Sequence, residues 1–381
     1  MISFHPTDEE QAFYDLARNF AVEYIRPAAR ECEANRSVSA SIIKMVGELG
    51  FSTLELPESW GGLELPLISQ VQILQALSYG DLGIVQGLSG PGDAASFIRL
   101  QPDHPLLQSY KSSGRNSCWP SVAFIDATDR NAPWASELDI RANGSGYIVK
   151  GTSQPVRLAT SAEYVLIAAV DSKGECVVLW LENKHWEVLK GDFRLGLLAA
   201  GLGRLHFPDV HVGAEQVIAR GKEASELIAN VQQRLRVLEA AKEVGLMEAS
   251  LNYAIEYTAG RQAFGQEIAK FQGVSFTIAE MAFEFKAAKH LVWQAAIKVD
   301  EQASDAEGHA LRALSRAHRS LRHVTDCAVQ MLGGHGYVQE YPVEKWMRDA
   351  QAQVALYGRE RDLLVRRGEQ IMNRQKERVA Q

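Results

Sequence analysis

The chain has 381 residues, 46% of them hydrophobic and 23% charged, and a net charge of −7. That is material for a substantial core in two or three domains. No basic excess points to nucleic acid, no apolar run is long enough to span a bilayer, and Cys32, Cys118, Cys176 and Cys327 are too scattered for a zinc motif. Residues 1–10 carry no apolar targeting core, so free thiols in a reducing cytoplasm are expected.

Thr7 and Glu10 form a capping-box pattern. Phe13, Leu16, Phe20 and Ile25 then recur near helical spacing, and a helix is expected to end at Pro27. Further helices are expected over 39–49, 65–78 and 93–99, with a turn at Pro57–Gly62 between the first two. The texture then changes to short β-branched and aromatic runs, such as Tyr147-Ile148-Val149, Tyr164-Val165-Leu166-Ile167, Val177-Val178-Leu179-Trp180 and Val210-His211-Val212. Gly, Asn, Asp and Pro punctuate them, which predicts short strands. Four long helical patterns follow, over 224–259, 271–300, 304–331 and 343–372. Helices near 30 residues suggest an antiparallel bundle that also packs against other subunits. The fold class is therefore α+β: a helical N-terminal domain over 1–114, a central β-barrel-like domain over 115–218 and a C-terminal four-helix bundle over 219–381.

Two segments could carry chemistry. Gln330-Met331-Leu332-Gly333-Gly334-His335-Gly336-Tyr337 interrupts the helical pattern with three glycines, which end a helix and bare backbone N–H groups to a phosphate or ribose. Gly260-Arg261-Gln262-Ala263-Phe264-Gly265, followed by Phe271-Gln272, offers a guanidinium fork for a pyrophosphate and aromatic rings for stacking. Either alone also reads as a helix cap or connecting turn.

Together with Pro57…Gly61-Gly62, Gly146-Tyr147…Gly151, residues 207–212 and Tyr341-Pro342-Val343-Glu344-Lys345…Arg348-Asp349-Ala350, these segments resemble the acyl-CoA dehydrogenase family across nearly the whole chain. The resemblance implies an FAD cofactor, an acyl-CoA or related thioester substrate and, usually, a tetramer. The family reaction oxidises the Cα–Cβ bond: a carboxylate base removes the α proton while the β hydrogen leaves as hydride to the flavin. In such tetramers the Arg and Phe of the first motif and the Gln and Gly-Gly of the second reach the flavin of the neighbouring subunit. The resemblance thus assigns Arg261, Phe264, Phe271, Gln272, Gln330, Gly333 and Gly334 to cofactor binding.

The chain departs from the family where it would hold its own flavin. The usual Thr-Glu-Pro…Gly-Ser-Asp run is replaced by residues 118–130. In the Trp-Ile-Thr segment, Pro155 stands for the Trp and Arg157 for the Thr. Tyr357 occupies the usual Glu position, and the alternative position of the base, before Arg236, holds Leu235. A Tyr with its ordinary pKa near 10 is a poor base, and Glu360 is expected to face solvent nearly one helical turn further on. No catalytic residue is assigned. Three readings follow. The chain is a subunit of a hetero-oligomer, giving flavin contacts to a partner chain that holds the base. Or it is a homo-oligomeric flavin enzyme of altered chemistry, such as a monooxygenase, with His335 or Tyr357 near the ring. Or it is a flavin-free structural homologue, with Pro155, Arg157 and Arg359 filling the cofactor's place.

Overall fold

The computed structural model describes residues 7–114, 118–128, 137–182, 185–189 and 194–380. The first segment is helical: α1 (Asp8–Phe20), α2 (Arg26–Asn35), α3 (Ala40–Glu48), α4 (Leu67–Ser78), α5 (Leu82–Gln86), α6 (Ala95–Leu100) and α7 (Leu107–Ser113). The capping box forms. Thr7 Oγ1 accepts from the Glu10 amide at 3.2 Å, and Glu10 Oε2 accepts from the Thr7 amide at 2.8 Å. The helix does not stop at Pro27. A π turn, Ala21–Ile25, joins α1 to α2, and Pro27 follows it as the second residue of α2; a widened turn of this kind is one way a helix takes in a Pro without ending.

Strands β1 (Ser121–Ala127), β2 (Glu137–Asn143), β3 (Gly146–Thr152), β4 (Ala162–Val170), β5 (Cys176–Glu182), β6 (Glu187–Leu189), β7 (Arg204–Val212) and β8 (Val217–Arg220) build two four-stranded sheets. Their orders are β1-β4-β5-β8 and β2-β3-β7-β6, and they are open sheets face to face rather than a closed barrel. β1 is parallel to β4 and the other pairs are antiparallel. The first sheet is buried on both faces. Val165, Ile167, Val177 and Leu179 meet the second sheet, while Leu166, Val178 and Trp180 meet the helical layer of α6, α7 and the start of α8. Its strands therefore read as unbroken apolar runs rather than alternating ones.

The C-terminal bundle comprises α8 (Gly221–Gly260), α9 (Gln272–Asp300), α10 (Ala306–Leu332), α11 (Val343–Leu356) and α12 (Glu360–Ala380), with a small hairpin of β9 (Gln262–Ala263) and β10 (Gln266–Glu267) between α8 and α9. Ala310, Leu314, Ala317, Leu321, Val324 and Ala328 are fully buried at alternating spacings of four and three, the seam by which α10 packs on its neighbours. The single helix expected over 343–372 is broken. Gly358 takes φ +97°, which no right-handed helix contains, so α11 ends at Leu356 and α12 begins at Glu360. Nor does Glu360 face solvent: it is half-buried and accepts from Arg322 Nη2 at 2.6 Å. No helix among the described residues is long and apolar enough to cross a membrane.

A buried triad locks α11 to the rest. Lys345 Nζ donates to Asp81 Oδ2 at 2.5 Å and to Asp349 Oδ2 at 2.6 Å, and Asp349 Oδ1 accepts from the Leu197 amide at 2.6 Å. Asp81 also caps α5 through the Ile84 amide. The loop carrying Leu197 can lie this close because Gly196 has no Cβ; one there would stand 2.1 Å from the Arg348 carbonyl oxygen.

Candidate functional site

The residues assigned by motif to cofactor contact stand together at one end of the bundle, facing outward. Arg261 closes α8, and the β9–β10 hairpin after it presents Phe264 at its tip, 96% exposed. Phe264 and Gly265, the two loop residues, have φ of +54° and +81°. That conformation suits Asn-Gly and strains a Phe, so the exposed ring is held where neither packing nor turn preference would place it. Phe271, half-buried at the N-terminus of α9, meets the Phe264 ring edge-on at 6.2 Å, and Gln272 beside it is exposed. Gln330 is exposed in the last turn of α10, which ends on Gly333 at φ +56°. A Cβ on Gly333 or Gly334 would meet no atom within 4 Å, whereas one on Gly336 would stand 2.3 Å from the Val329 carbonyl oxygen. Packing thus requires only Gly336. His335 anchors the turn: its Nδ1 lies 2.8 Å from the Tyr257 hydroxyl and its ring stacks on Tyr341 at 4.7 Å.

A second group, nearly all of it buried, forms where α5, α8, α10, α11 and the Gln154–Leu158 loop converge. Arg157 donates through Nη1 to Gln86 Oε1 at 3.1 Å and through Nη2 to Asp93 Oδ1 at 3.0 Å. Tyr357 donates to the other oxygen of Asp93 at 3.2 Å. Gln86 Nε2 reaches Glu239 Oε2 at 2.6 Å and Gln353 Oε1 at 2.8 Å, and Lys242 Nζ reaches Gln86 Oε1 at 3.0 Å and bonds Glu239 Oε1. Further along, His318 Nε2 donates to the Gly358 carbonyl at 2.8 Å, so Nδ1 and the Glu243 carboxyl 2.8 Å away share one further proton. Arg157 and Lys242 balance Asp93 and Glu239 in charge, and the Glu243–His318 pair is neutral however its proton sits. Burial works against the Arg157 cation, but the Asp93 carboxylate more than offsets it and holds its pKa above the usual range. Burial and the Asp93 and Glu239 carboxylates push the Tyr357 phenol well above its ordinary value, so it stays neutral.

The two groups are far apart on one chain. Along α10, Gln330 lies twelve residues beyond His318, about 18 Å at 1.5 Å per residue. Along α8, Arg261 lies about 27 Å beyond Glu243 by the same rise. Arg261 and Gln330 therefore do not touch a group held directly against their own chain's Tyr357, and His335 and Tyr357 lie in different groups. Next to the 357–359 loop, a cavity of about 610 Å³ is lined by His318, Arg322, Arg359, Arg361, Leu364 and Val365 among others.

Residues 7–98 match the family description "Acyl-CoA dehydrogenase, N-terminal domain" and residues 227–361 match "Acyl-CoA dehydrogenase, C-terminal domain". The chain belongs to the acyl-CoA dehydrogenase family. It is 24% identical over 354 residues to the mitochondrial short-chain specific acyl-CoA dehydrogenase of Rattus norvegicus, covering 90% of this chain and 85% of the relative. Among solved structures it resembles butyryl-CoA dehydrogenase of Megasphaera elsdenii, with TM-score 0.81 and 25% identity over 97% of this chain and all of the other. It also resembles a chain from work on the electron-transferring flavoprotein and flavin-based electron bifurcation of Acidaminococcus fermentans, with TM-score 0.86 and 26% identity over 97% of this chain and 99% of that one. PigA, solved with FAD and proline, shares the fold at TM-score 0.87 and 20% identity over 98% and 100% of the two chains.

Acyl-CoA dehydrogenases generally bind FAD, and this member's inner cluster does not fit one. A flat ring between two side chains holds them roughly 7 Å apart, twice the carbon–carbon contact distance of about 3.5 Å. Here the bonds joining Arg157, Asp93 and Tyr357 run from 3.0 to 3.2 Å. Arg157 Nε is the one nitrogen of the fork without a partner, and it needs no more than a water. At the alternative base position Leu235 is buried in the core beside Arg236, whose pKa burial pushes down to about 10. Glu239, one turn on, has both oxygens engaged and is no free base. Of the 118–130 segment, Asp129 and Arg130 lie outside the described residues; residues 121–127 form β1. Motif reading missed Gln86, Asp93, Glu239, Lys242, Glu243, His318 and Gln353. The signal available was Glu239, Lys242 and Glu243 within an α8 stretch whose other residues are apolar.

Proposed function

We propose that the chain is one subunit of an unlike-chain acyl-CoA dehydrogenase. Its partner, a fuller member of the family, holds FAD, the base and the acyl-CoA, and carries out the Cα–Cβ oxidation. This chain supplies Arg261, Phe264, Phe271, Gln272, Gln330, Gly333 and Gly334 across the interface. Arg261 would offer two donors to the pyrophosphate, and the bare amides at Gly333 and Gly334 would let the cofactor approach the backbone. The observation that carries this reading is the separation of about 18 Å along α10 between an open, outward donor end and a closed polar cluster at the base position. Exposed Phe276 (62%) and Phe283 (73%), seven residues apart on α9, and Tyr337 (75%) support a surface covered by another subunit, as in a tetramer.

The test is the flavin content of the two-chain complex, made by co-expression with a fuller acyl-CoA dehydrogenase-like chain from the same source. Arg261→Ala removes hydrogen bonds from a charged donor, worth about 1.5–3 kcal/mol, so flavin retention is expected to fall roughly ten- to a hundredfold. Unchanged flavin content in that complex overturns the reading.

A further inference from the structure

We infer that Arg157, Asp93 and Tyr357 form a built-in polar plug that closes this chain's own cleft to a flavin ring, making it a one-way contributor that a second identical copy cannot complete. The inference rests on the proposed function and names what enforces it. By resemblance, Arg157 stands at a position that touches the flavin and Tyr357 where the base stands. In the reaction described above the acyl chain lies between base and flavin. Those two positions must therefore be held apart in a working cleft. Here they share the two oxygens of one carboxylate, Arg157 at 3.0 Å and Tyr357 at 3.2 Å.

The closure is anchored, not incidental. Asp93 and Arg157 are 7% and 9% exposed, and Gln86, Glu239, Gln353, Glu243 and His318 at most 1%. Arg157 is pinned a second time by Gln86, which bonds Glu239 and Gln353 and so connects the plug to α8 and α11. On the other side the His318–Gly358 bond fixes the turn that carries Tyr357. To admit a ring, Arg157 would have to leave Asp93 buried without its cation, at a cost far above that of parting a surface pair. A homo-oligomer of this chain would bring intact donor ends to closed clefts, so no copy would hold flavin. Only a partner whose cleft lacks such a plug makes the donor end useful.

The test uses the full chain by itself, with FAD as the probe. The native protein is expected to retain no flavin after gel filtration, and its melting temperature should not move in excess FAD, because a ligand that does not bind the folded state cannot stabilise it. The double variant Arg157→Thr/Asp93→Asn removes both charges together, so neither is left unpaired. Folded by circular dichroism, it is expected to retain FAD at least about tenfold better than native. Stoichiometric flavin on the native chain overturns the inference, as does a folded double variant that gains none. Should the double variant not fold, the native chain decides alone: a rise in its melting temperature with FAD overturns the plug, and no rise supports it. The Arg261 experiment reads the two-chain complex and this one reads the chain alone, so either can fail while the other stands.

Discussion

At the scale of single residues, Tyr357 is a structural group at the position where the resemblance would put the base. Its hydroxyl is a donor to Asp93, and burial together with the neighbouring carboxylates keeps it protonated far above neutral pH. A group that cannot lose its proton cannot act as a base. Tyr357→Phe is therefore expected to leave the dehydrogenation rate of the proposed two-chain complex nearly unchanged, where loss of a true general base costs about 10²- to 10⁴-fold. Stability should drop by about 1 kcal/mol, the net worth of one hydrogen bond, because Asp93 keeps Arg157. Steady-state rates and urea midpoints of the native and variant proteins check both parts, and a hundredfold rate loss would make Tyr357 catalytic. The turns that carry the outward residues were legible in the sequence, because glycines clustered within a few positions end a helix. The inner cluster was not. Its members come from positions 86, 93, 157, 239, 242, 243, 318, 353 and 357, and only the tertiary fold turns scattered polar residues into one charge-balanced group.

At the scale of elements, the long helices follow from apolar residues at alternating spacings of three and four, as on α10, and such periodicity survives any detail of packing. The break between α11 and α12 did not follow, because apolar positions continue on both sides of it and a single Gly358 is the one local sign. What holds α11 in place is likewise invisible in local pattern. Lys345 lies between Asp81, which caps α5, and Asp349, which holds the Leu197 amide. Burial disfavours the lysine cation, but the two carboxylates overcome it and raise its pKa above the ordinary value. Lys345→Met keeps the length of the side chain and leaves two buried carboxylates without a cation. The expected cost is about 3–5 kcal/mol, the range for breaking a buried ion pair from one side. A fall in the urea midpoint of less than the equivalent of about 1 kcal/mol, the typical effect of a point substitution, would show that the triad is not what fastens α11.

At the scale of the whole molecule, one carboxylate connects the N-terminal helices to the bundle. Glu55 is 5% exposed and accepts from Arg234 Nε at 2.5 Å and Nη2 at 2.9 Å on α8, from Gln70 on α4 and from Ser96 on α6. Arg234 also reaches Asp300 Oδ1 at 3.0 Å at the end of α9, and Asp300 Oδ2 caps α4 through the Leu67 amide. Burial alone would raise the Glu55 pKa, but the hydrogen bonds and charge of Arg234 reverse that and lower it. The sign of the pH effect follows. A carboxyl with a depressed folded-state pKa binds its proton more readily in the unfolded chain, so it stabilises the fold above the unfolded value, about 4.3 for Glu. That stabilisation disappears as pH falls through the folded value. Glu55→Gln removes the titrating group, so the stability gap between native protein and variant should be constant from neutral pH down to about 5 and shrink below about 4.3. Urea unfolding of both proteins across that range measures the gap directly. A gap that widens with acid, or stays flat to the lowest pH at which both fold, would mean that the charge on Glu55 is not what joins the helical layers.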